Sequence, residues 1–457
     1  MLNLSDLEAC HKKTRPLVPE AARCPRCGTW APRNEVRTRH LWEADLRQTT
    51  IRDVTYGCYI CPACPEGQRW FTTQPQGYDY LGQYAAWTRK LLVDLVRQFK
   101  MSVEAATAFG RQALHLDKLA STTVLDWLRE AGKQVDVAAR QAEVVAVFSG
   151  QMAVDEVYDD HYYQLKATDP LNDLELAWEV GEGSPDKEAI RKFFEKLKAA
   201  GFVPRLVVTD GSDLYPEVIV EVWPDAEHQR CVFHFLMQVN KDLAKVFWAL
   251  FATMPEPKKR KRGRPKKRGR PREDKRKKEN REKVRKARFL IFKRETQPGE
   301  KERWTDKERA ALAEALMLCP GLRVLRRLVQ QLHQLFGPTT DSHELAEQRR
   351  AAILEDAELV QLLEVSRCLD RLRDADLFAR LTRYLDFENA EKTSNHVERE
   401  NREYRKRQKG HYRLRSRSSI CALLNLLTVR KPVPSQPVKL KPKPAAAVTG
   451  QEVRAAA

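Results

Sequence analysis

The chain has 457 residues, of which 42% are hydrophobic, which is enough for several domains with apolar cores and excludes a disordered protein. Lys and Arg total 82 against 63 Asp and Glu, a formal net charge of +19, which indicates a polyanionic partner such as nucleic acid or an acidic membrane surface. The sequence shows neither a secretory leader nor an apolar run long enough to span a bilayer, so we expect an unsecreted protein with no membrane partner.

The first segment is rich in cysteine at metal-binding spacing. Cys24 and Cys27 form one Cys-x-x-Cys pair, and Cys61 and Cys64 form another. Two such pairs supply the four thiolates that structural zinc prefers, so we predict a zinc ribbon with these four ligands. Cys58 is a rival ligand because it also makes a Cys-x-x-Cys pair with Cys61, and the alternative without metal is a set of buried thiols.

Residues 87–133 change to a helical pattern of apolar side chains, with three short segments at helical periodicity. Three helices of this layout indicate a helix-turn-helix, whose third helix would enter a major groove of DNA. A small helical bundle has the same periodicity, but the position directly after a cysteine-rich ribbon favours DNA binding.

From residue 144 onward the pattern alternates between strands and helices and predicts an α/β core. This core is interrupted by a basic stretch and then by a mainly helical block from about 300 to 386, where Thr305 to Glu308 has capping-box spacing. We expect the helical block to be an insertion into the core.

The basic stretch, residues 258–288, contains 20 basic and 4 acidic side chains. Within it Arg-Gly-Arg-Pro occurs twice, and a glycine between arginines lets the backbone lie deep in a narrow minor groove. We therefore predict AT-hook-like contacts to DNA, against the alternative of a plain charged linker. The arginines concerned are Arg262, Arg264, Arg268 and Arg270.

Two acidic residues follow short apolar runs in the α/β core, Asp155 in "MAVDEVY" and Asp210 in "LVVTDGSD". Carboxylates at neighbouring strand ends repel each other unless a cation lies between them. Such a pair suits a two-metal site, in which divalent ions about 3.5 to 4 Å apart promote in-line phosphoryl displacement. For either aspartate alone, the simpler alternative is a cap of a turn.

A third carboxylate, Glu398, lies in the segment "TSNHVERENREYRKRQKG". Asn395 can cap a helix that carries Glu398 one turn in, facing the two aspartates. Arg399, Arg402 and Arg405 follow it and can contact DNA phosphates. The alternative is an exposed pair between Glu398 and Arg402, which would contribute only a few tenths of a kcal/mol.

Several motifs together resemble the DDE transposases of bacterial insertion sequences with a zinc ribbon and a helix-turn-helix, and their Mutator-like relatives. The matching segments are "VDE" at 154–156, "VVTDGS" at 207–212, "PDAEHQRCVFHFLMQVNKDL" at 224–243 and "TSNHVERENREYRKR" at 393–407. The resemblance implies a ribonuclease-H-like core and the catalytic triad Asp155, Asp210 and Glu398. It also makes Cys231 and His234 a Cys-x-x-His element, for which packing near the active site, contact with a DNA end and zinc ligation stay open.

The resemblance further implies two Mg²⁺ ions held by the triad, with Mn²⁺ as a substitute, beside the structural Zn²⁺. The partners would be double-stranded DNA, both transposon terminal inverted repeats and target DNA, bound by a homodimer or higher homo-oligomer. The protein would work in the bacterial cytoplasm, associated with the nucleoid. Alternatives are a domesticated regulator that binds DNA without cutting it and a structure-specific nuclease of the same fold.

These interpretations divide the chain into successive segments. They are the zinc ribbon (1–84), the helix-turn-helix (85–140), the first part of an α/β ribonuclease-H-like core (141–250), the basic AT-hook-like linker (251–299), the helical insertion (300–386), the final catalytic helix of the core (387–430) and a disordered tail (431–457).

Overall fold

The computed structural model describes residues 11–14, 18–44, 46–73, 83–159, 161–257, 272–296, 301–361, 365–408 and 414–444. The chain divides into two compact units. The first comprises 1–140 and 400–432, and the second comprises 141–399 and 433–457. Within the described residues, no helix has both the length and the apolar character that crossing a membrane requires.

The elements lie as follows. The strands are β1 (His11–Thr14), β2 (Ala21–Arg23), β3 (Trp30–Ala44), β4 (Thr49–Ile60), β5 (Trp70–Thr72), β6 (Gln151–Asp159), β7 (Tyr162–Asp169), β8 (Leu174–Glu182), β9 (Leu206–Thr209) and β10 (Glu227–Arg230). The helices are α1 (Ala86–Arg97), α2 (Val103–Ala113), α3 (Ser121–Lys133), α4 (Val137–Val147), α5 (Lys187–Ala199), α6 (Pro216–Val222), α7 (Val232–Ala252), α8 (Arg272–Lys286), α9 (Arg288–Phe292), α10 (Asp306–Leu318), α11 (Leu322–Leu335), α12 (His343–Leu354), α13 (Ala357–Val360), α14 (Ser366–Arg373), α15 (Ala375–Thr382), α16 (Asn395–Gln408) and α17 (Arg417–Thr428). Short 3₁₀ turns occupy Glu66–Gln68 and Arg383–Asp386.

The first unit combines a sheet with a group of helices. The sheet has the order β1-β4-β3-β2, with β5 also on β4, and its centre is the long antiparallel pair of β3 and β4. Leu92 of α1, Leu119 of the loop between α2 and α3, and Leu128 of α3 share one core, and α17 adds Leu426 to it. Gly132 is required in α3 because a Cβ there would lie 2.5 Å from the Cα of Ala422 in α17. This close approach keeps α3 and α17 in direct contact.

The second unit is built on a mixed five-stranded sheet in the order β10-β9-β6-β7-β8. Strands β6, β7 and β8 form an antiparallel meander, whereas β9 and β10 run parallel to β6. Helices α5 and α6 cover one face, where Phe193, Phe194 and Ile219 are fully buried. The apolar spacing along α5, with Ile190, Phe193, Phe194 and Leu197 buried, is that of a helix with one face in the core.

The helical insertion has its own apolar core, formed between α7 and the helices α8 to α15. On α7 this core takes Val239, Leu243 and Val246, at the spacing of a single helix face. The predicted capping box is confirmed at the start of α10, where the Thr305 side chain accepts from Glu308 N–H and the Glu308 side chain accepts from Thr305 N–H.

The structure corrects two predictions about irregular segments. Much of the expected linker at 251–299 is helical: α8 and α9 occupy it, and Val284, Leu290 and Ile291 are buried in the core of the insertion. The prediction of a disordered tail from 431 is wrong for residues 433–444. There Leu440 is buried, and its N–H donates to the carbonyl of Ser149 at the start of the core.

Candidate functional site

Four cysteines meet at one end of the first sheet. Cys24 and Cys27 lie on the turn between β2 and β3, and Cys61 and Cys64 lie on the turn after β4. Their sulfur atoms all lie within 4.8 Å of one another. In the first turn the N–H groups of Cys24 and Gly28 donate to the carbonyls of Thr29 and Cys24, and Gly28 has a φ of +75°, which favours glycine. The sequence therefore forms a tight, preorganised knuckle.

The spacing of these sulfurs fits a tetrahedral metal. The separations are 3.4 Å between Cys27 and Cys61, 3.6 Å between Cys27 and Cys64, and 3.8 Å between Cys24 and Cys64. Zinc–sulfur bonds of about 2.3 Å at tetrahedral angles place ligand sulfurs about 3.8 Å apart. Cys58 instead lies within β4, opposite Thr72 of β5, and is not part of this cluster.

The thiols of this cluster differ in acidity because they crowd together. Hydrogen bonds from Thr29 and Cys61 lower the pKa of Cys27 to about 6. The hydrogen bonds of Cys64 to Cys27 and Cys61, together with burial, raise the pKa of Cys64 to about 12. One thiol of the cluster thus ionises readily, whereas its neighbour resists ionisation. A bound dication would favour the thiolate form of all of them.

Asp155 lies within β6, and Asp210 directly follows the end of the adjacent parallel strand β9, at a matching position. The register pairs Ala153 of β6 with Val208 of β9, and each aspartate lies two residues farther along the chain. Residues two apart on a strand share a face, and neighbouring strands are about 4.8 Å apart. The two carboxylates therefore belong to the same face and the same edge. Asp210 is fixed by the N–H of Ser212, which donates to its Oδ1 at 2.8 Å.

Glu398 approaches that edge from the first turn of α16. Beneath all three carboxylates lies a small cluster of buried residues, namely Ala153, Val208, Cys231 and Val397. Because Val397 immediately precedes Glu398, this packing brings the third carboxylate to the side of the sheet that carries the aspartates. The helix begins at Asn395, so its cap position belongs to Ser394, one residue earlier than predicted.

Two buried glutamines tie the chain leading into α16 to the sheet. Gln151, at the start of β6, donates to the carbonyl of Glu391 at 2.6 Å and accepts from its N–H at 3.0 Å. Gln229, in β10, donates to the carbonyl of Leu381 at 3.0 Å and accepts from the N–H of Tyr384 at 2.8 Å. Sequence reasoning missed both residues. Gln151 precedes the apolar run of β6, but β10 reads Glu-His-Gln-Arg and gives Gln229 no distinguishing signal.

A further anchor holds the beginning of α16. The buried His396 lies with Nε2 2.5 Å from Asp173 Oδ1, on the turn between β7 and β8. Asp173 adopts a φ of +53°, a conformation common for Asp in turns. The packing of Val397 and the contact of His396 with Asp173 together fix the position of Glu398.

The Cys-x-x-His element lies beside Glu398. Ser394 donates to Cys231 Sγ from both its N–H and its hydroxyl, each at 3.2 Å, and His234 Nε2 is 3.5 Å from Glu398 Oε1. The hydrogen bond with Cys231 and the charges of Cys231, Glu398 and Asp155 raise the pKa of His234 to about 9. Within the described residues the element joins no group of three possible metal ligands.

The three carboxylates lie around one edge of the sheet, but their oxygen atoms do not all meet at one point. Among the described residues they do not form a cluster with all ligand atoms within 4.8 Å. Glu398 Oε1 is buried and accepts no hydrogen bond, and His234 Nε2 lies 3.5 Å from it as an ion-pair partner. A buried carboxylate oxygen next to two more carboxylates fits a site for hard divalent cations.

The predicted DNA-contacting arginines fall into two groups. Arg399, Arg402 and Arg405 are exposed on α16. Arg262, Arg264, Arg268 and Arg270 lie outside the described residues, together with the rest of 258–271.

Comparison with known protein families identifies the family of this chain. A family model described as a transposase, DDE_Tnp_ISL3, matches residues 152–407. This span covers more than half of the chain and includes all three carboxylates, and the chain therefore belongs to this family of DDE transposases of bacterial insertion sequences. The further relation to Mutator-like enzymes stays a prediction.

Two other comparisons add little. None of the curated proteins matches the chain at a significant level. Among solved structures, the chain is similar to the Drosophila P element transposase strand transfer complex, with 11% identity over 75% of this chain and 90% of that chain and a TM-score of 0.35. A similarity at that level carries no argument about mechanism.

Proposed function

We propose that the protein cuts DNA at the ends of its own mobile element and joins the freed 3′ hydroxyls to target DNA. The observation that carries this proposal is the approach of Asp155, Asp210 and Glu398 to one sheet edge within the segment that matches a transposase family. The strand order β10-β9-β6-β7-β8, an antiparallel meander followed by two parallel strands, supports a ribonuclease-H-like core for this chemistry.

In this mechanism Asp155, Asp210 and Glu398 hold two Mg²⁺ ions, for which Mn²⁺ can substitute. When bound, such a pair of ions activates the attacking oxygen and stabilises the leaving oxygen of an in-line displacement. The chain's own residues set the positions of the ligands. Val397 and His396 hold Glu398 from the helix side, and the paired strands hold the aspartates.

The remaining parts of the chain bind DNA in this proposal. The four-cysteine cluster holds a structural zinc ion and stabilises a ribbon, and α1 to α3 form a helix-turn-helix that recognises the terminal inverted repeats. Exposed arginines on α16 and the arginines of the basic segment contact DNA phosphates. The protein acts as a homodimer or higher homo-oligomer on DNA in the bacterial cytoplasm, at the nucleoid.

The proposal is tested with a labelled duplex that carries the ends of the element. Full-length protein should nick this duplex with Mg²⁺ or Mn²⁺, should not nick it with EDTA or Ca²⁺, and should join the new 3′ end to a second duplex. A protein that binds the ends tightly but produces no nick with any of these ions would instead be a regulator derived from a transposase. Nicking of unrelated branched DNA in preference to the ends would identify a structure-specific nuclease.

A further inference from the structure

Arg230 lies beside the second aspartate of the triad and has no assigned role. It ends β10, where the register pairs it with Thr209, the residue just before Asp210. Gly211, just after Asp210, has a φ of +132°, and a Cβ built there would lie 2.5 Å from Arg230 Nε and 2.8 Å from its Nη2. The guanidinium therefore lies against the backbone of Gly211, and only glycine leaves space for it.

Within the described residues the Arg230 side chain makes neither a hydrogen bond nor an ion pair, and its Nε is buried without an acceptor. Its neighbours differ in this respect. Arg383 pairs with Glu227 at 3.1 Å, and Arg380 pairs with Asp376 at 2.6 Å. A partly buried guanidinium is costly when, as here, its Nε–H has lost water without gaining an acceptor.

The charges around the Arg230 guanidinium act in opposite directions, and none of them supplies it with a hydrogen-bond acceptor. Burial and the nearby Arg380 lower the pKa of Arg230, while the charges of Asp210 and Asp213 oppose that shift. The aspartates are close enough to attract the guanidinium but not to bond it. An anion located between Arg230 and the sheet edge that carries the carboxylates would accept hydrogen bonds from the N–H groups of the guanidinium.

We propose that Arg230 binds a non-bridging oxygen of the phosphodiester that is cut, on the side of the phosphate next to Asp210. This inference rests on the proposed function. In the reaction the oxygen of a water molecule, or of a 3′ hydroxyl in strand transfer, gives its proton to solvent and forms a bond to phosphorus. The bond from phosphorus to the leaving 3′ oxygen breaks, and this oxygen takes up a proton from solvent. Arg230 keeps its protons throughout and stabilises the negative charge that the phosphate oxygens carry in the transition state.

The first test is the variant Arg230→Gln, with Arg383→Gln as the control because it removes the same charge from a neighbouring arginine that is already paired. Arg230→Gln should nick end-bearing DNA at least about 100-fold more slowly, the effect typical of losing one preorganised donor. Its DNA affinity should stay within about threefold of wild type, and Arg383→Gln should cut normally. Equal rates for Arg230→Gln and wild type would overturn the inference.

The second test uses DNA with a single neutral methylphosphonate at the cut position, which removes the charge that Arg230 is proposed to bind. The penalty of this modification should be at least about tenfold smaller in Arg230→Gln than in wild type, because the two changes remove the same interaction. An equal penalty in both proteins would overturn the proposal. A purely structural role of Arg230 would not change this ratio.

Arg230→Lys keeps the charge without the fork and is the second variant should Arg230→Gln not fold. It should cut at a rate between those of wild type and Arg230→Gln, with a reduced methylphosphonate penalty. Failure of both variants to fold, judged by thermal unfolding, would overturn the inference by showing that Arg230 supports the fold. If wild type itself does not nick the unmodified DNA, the proposed function fails, and this result is distinct from an active wild type with an equally active Arg230→Gln.

Discussion

His228 predicts a measurable dependence of stability on pH. It lies in β10 with Nε2 2.9 Å from Thr209 Oγ1, and its Nδ1 is buried without a partner, so an added proton would have no acceptor. Burial, with the charges of Arg380 and Arg230, lowers the pKa of His228 from 6.5 to about 4. At about 1.36 kcal/mol per pKa unit, protonation of this residue costs the folded state about 3 kcal/mol.

The sign follows from proton uptake. Between pH 6.5 and about 4 the unfolded chain binds this proton and the folded chain does not, so the contribution of His228 to the free energy of unfolding falls as the pH falls through this window. Above pH 6.5 the contribution is fully present, and below about 4 no more is lost. The variant His228→Asn, which cannot take up the proton, should lack this part of the pH dependence.

The assay is urea unfolding of the full chain at several pH values between 7.5 and 4, with the difference between wild type and His228→Asn taken at each pH. That difference should change by about 3 kcal/mol in favour of the variant on going from pH 7 to pH 4. His343→Asn is the control, because His343 is exposed and pairs with Asp386 on the surface; it should keep the wild-type dependence in this window. A difference between wild type and His228→Asn that does not vary with pH would refute the argument from burial.

Three further predictions concern the metal, the basic segment and the buried amides. Metal analysis should find one tightly bound zinc per chain, lost in Cys61→Ser and kept in Cys58→Ser, since only Cys61 belongs to the cluster; a fully folded, zinc-free ribbon in wild type would contradict this. Deletion of 258–271 should flatten the dependence of DNA affinity on salt concentration and leave recognition of the element's ends, and an unchanged slope would show a passive linker. Gln229→Leu should lower the free energy of unfolding by about 2 to 4 kcal/mol because it leaves Tyr384 N–H and Leu381 C=O without partners, and a loss below about 1 kcal/mol in urea unfolding would contradict this.

The features that the sequence could predict were those set by local chemistry. Cys-x-x-Cys spacing is typical of a metal-binding knuckle, so the sequence could predict a four-cysteine cluster. The sequence could not choose between Cys58 and its neighbours, because that choice depends on β4 continuing through Cys58 to Ile60. The sequence likewise places Asp155 and Asp210 at the ends of apolar runs, and their catalytic role stays a prediction.

The features that the sequence could not predict depend on partners distant along the chain. Gln151 and Glu391 are 240 residues apart, and nothing near either one indicates the pair. In α8 and α9 the buried Val284 and Ile291 are masked by a dense run of charges, which made a packed segment resemble a linker. Leu440 lies in a Pro- and Lys-rich stretch whose other apolar side chains, apart from its prolines, are only Val433 and Val438.

The measurement that tests the central claim most directly compares three variants in Mg²⁺-dependent nicking of DNA that bears the element's ends. Asp210→Asn and Glu398→Gln each remove one negative charge from the metal-binding edge at nearly constant shape, and each should slow nicking by at least about 10³-fold while DNA binding persists. Glu400→Gln is the matched control. Glu400 lies two residues along α16, turned by about 200°, and Oε1 of its carboxylate pairs with Lys431 Nζ at 2.7 Å.

The account predicts that Glu400→Gln retains activity and that Asp210→Asn and Glu398→Gln do not. Normal nicking by Glu398→Gln together with an inactive Glu400→Gln would show that the third carboxylate is wrongly assigned. Normal nicking by both Asp210→Asn and Glu398→Gln would contradict catalysis at this edge altogether.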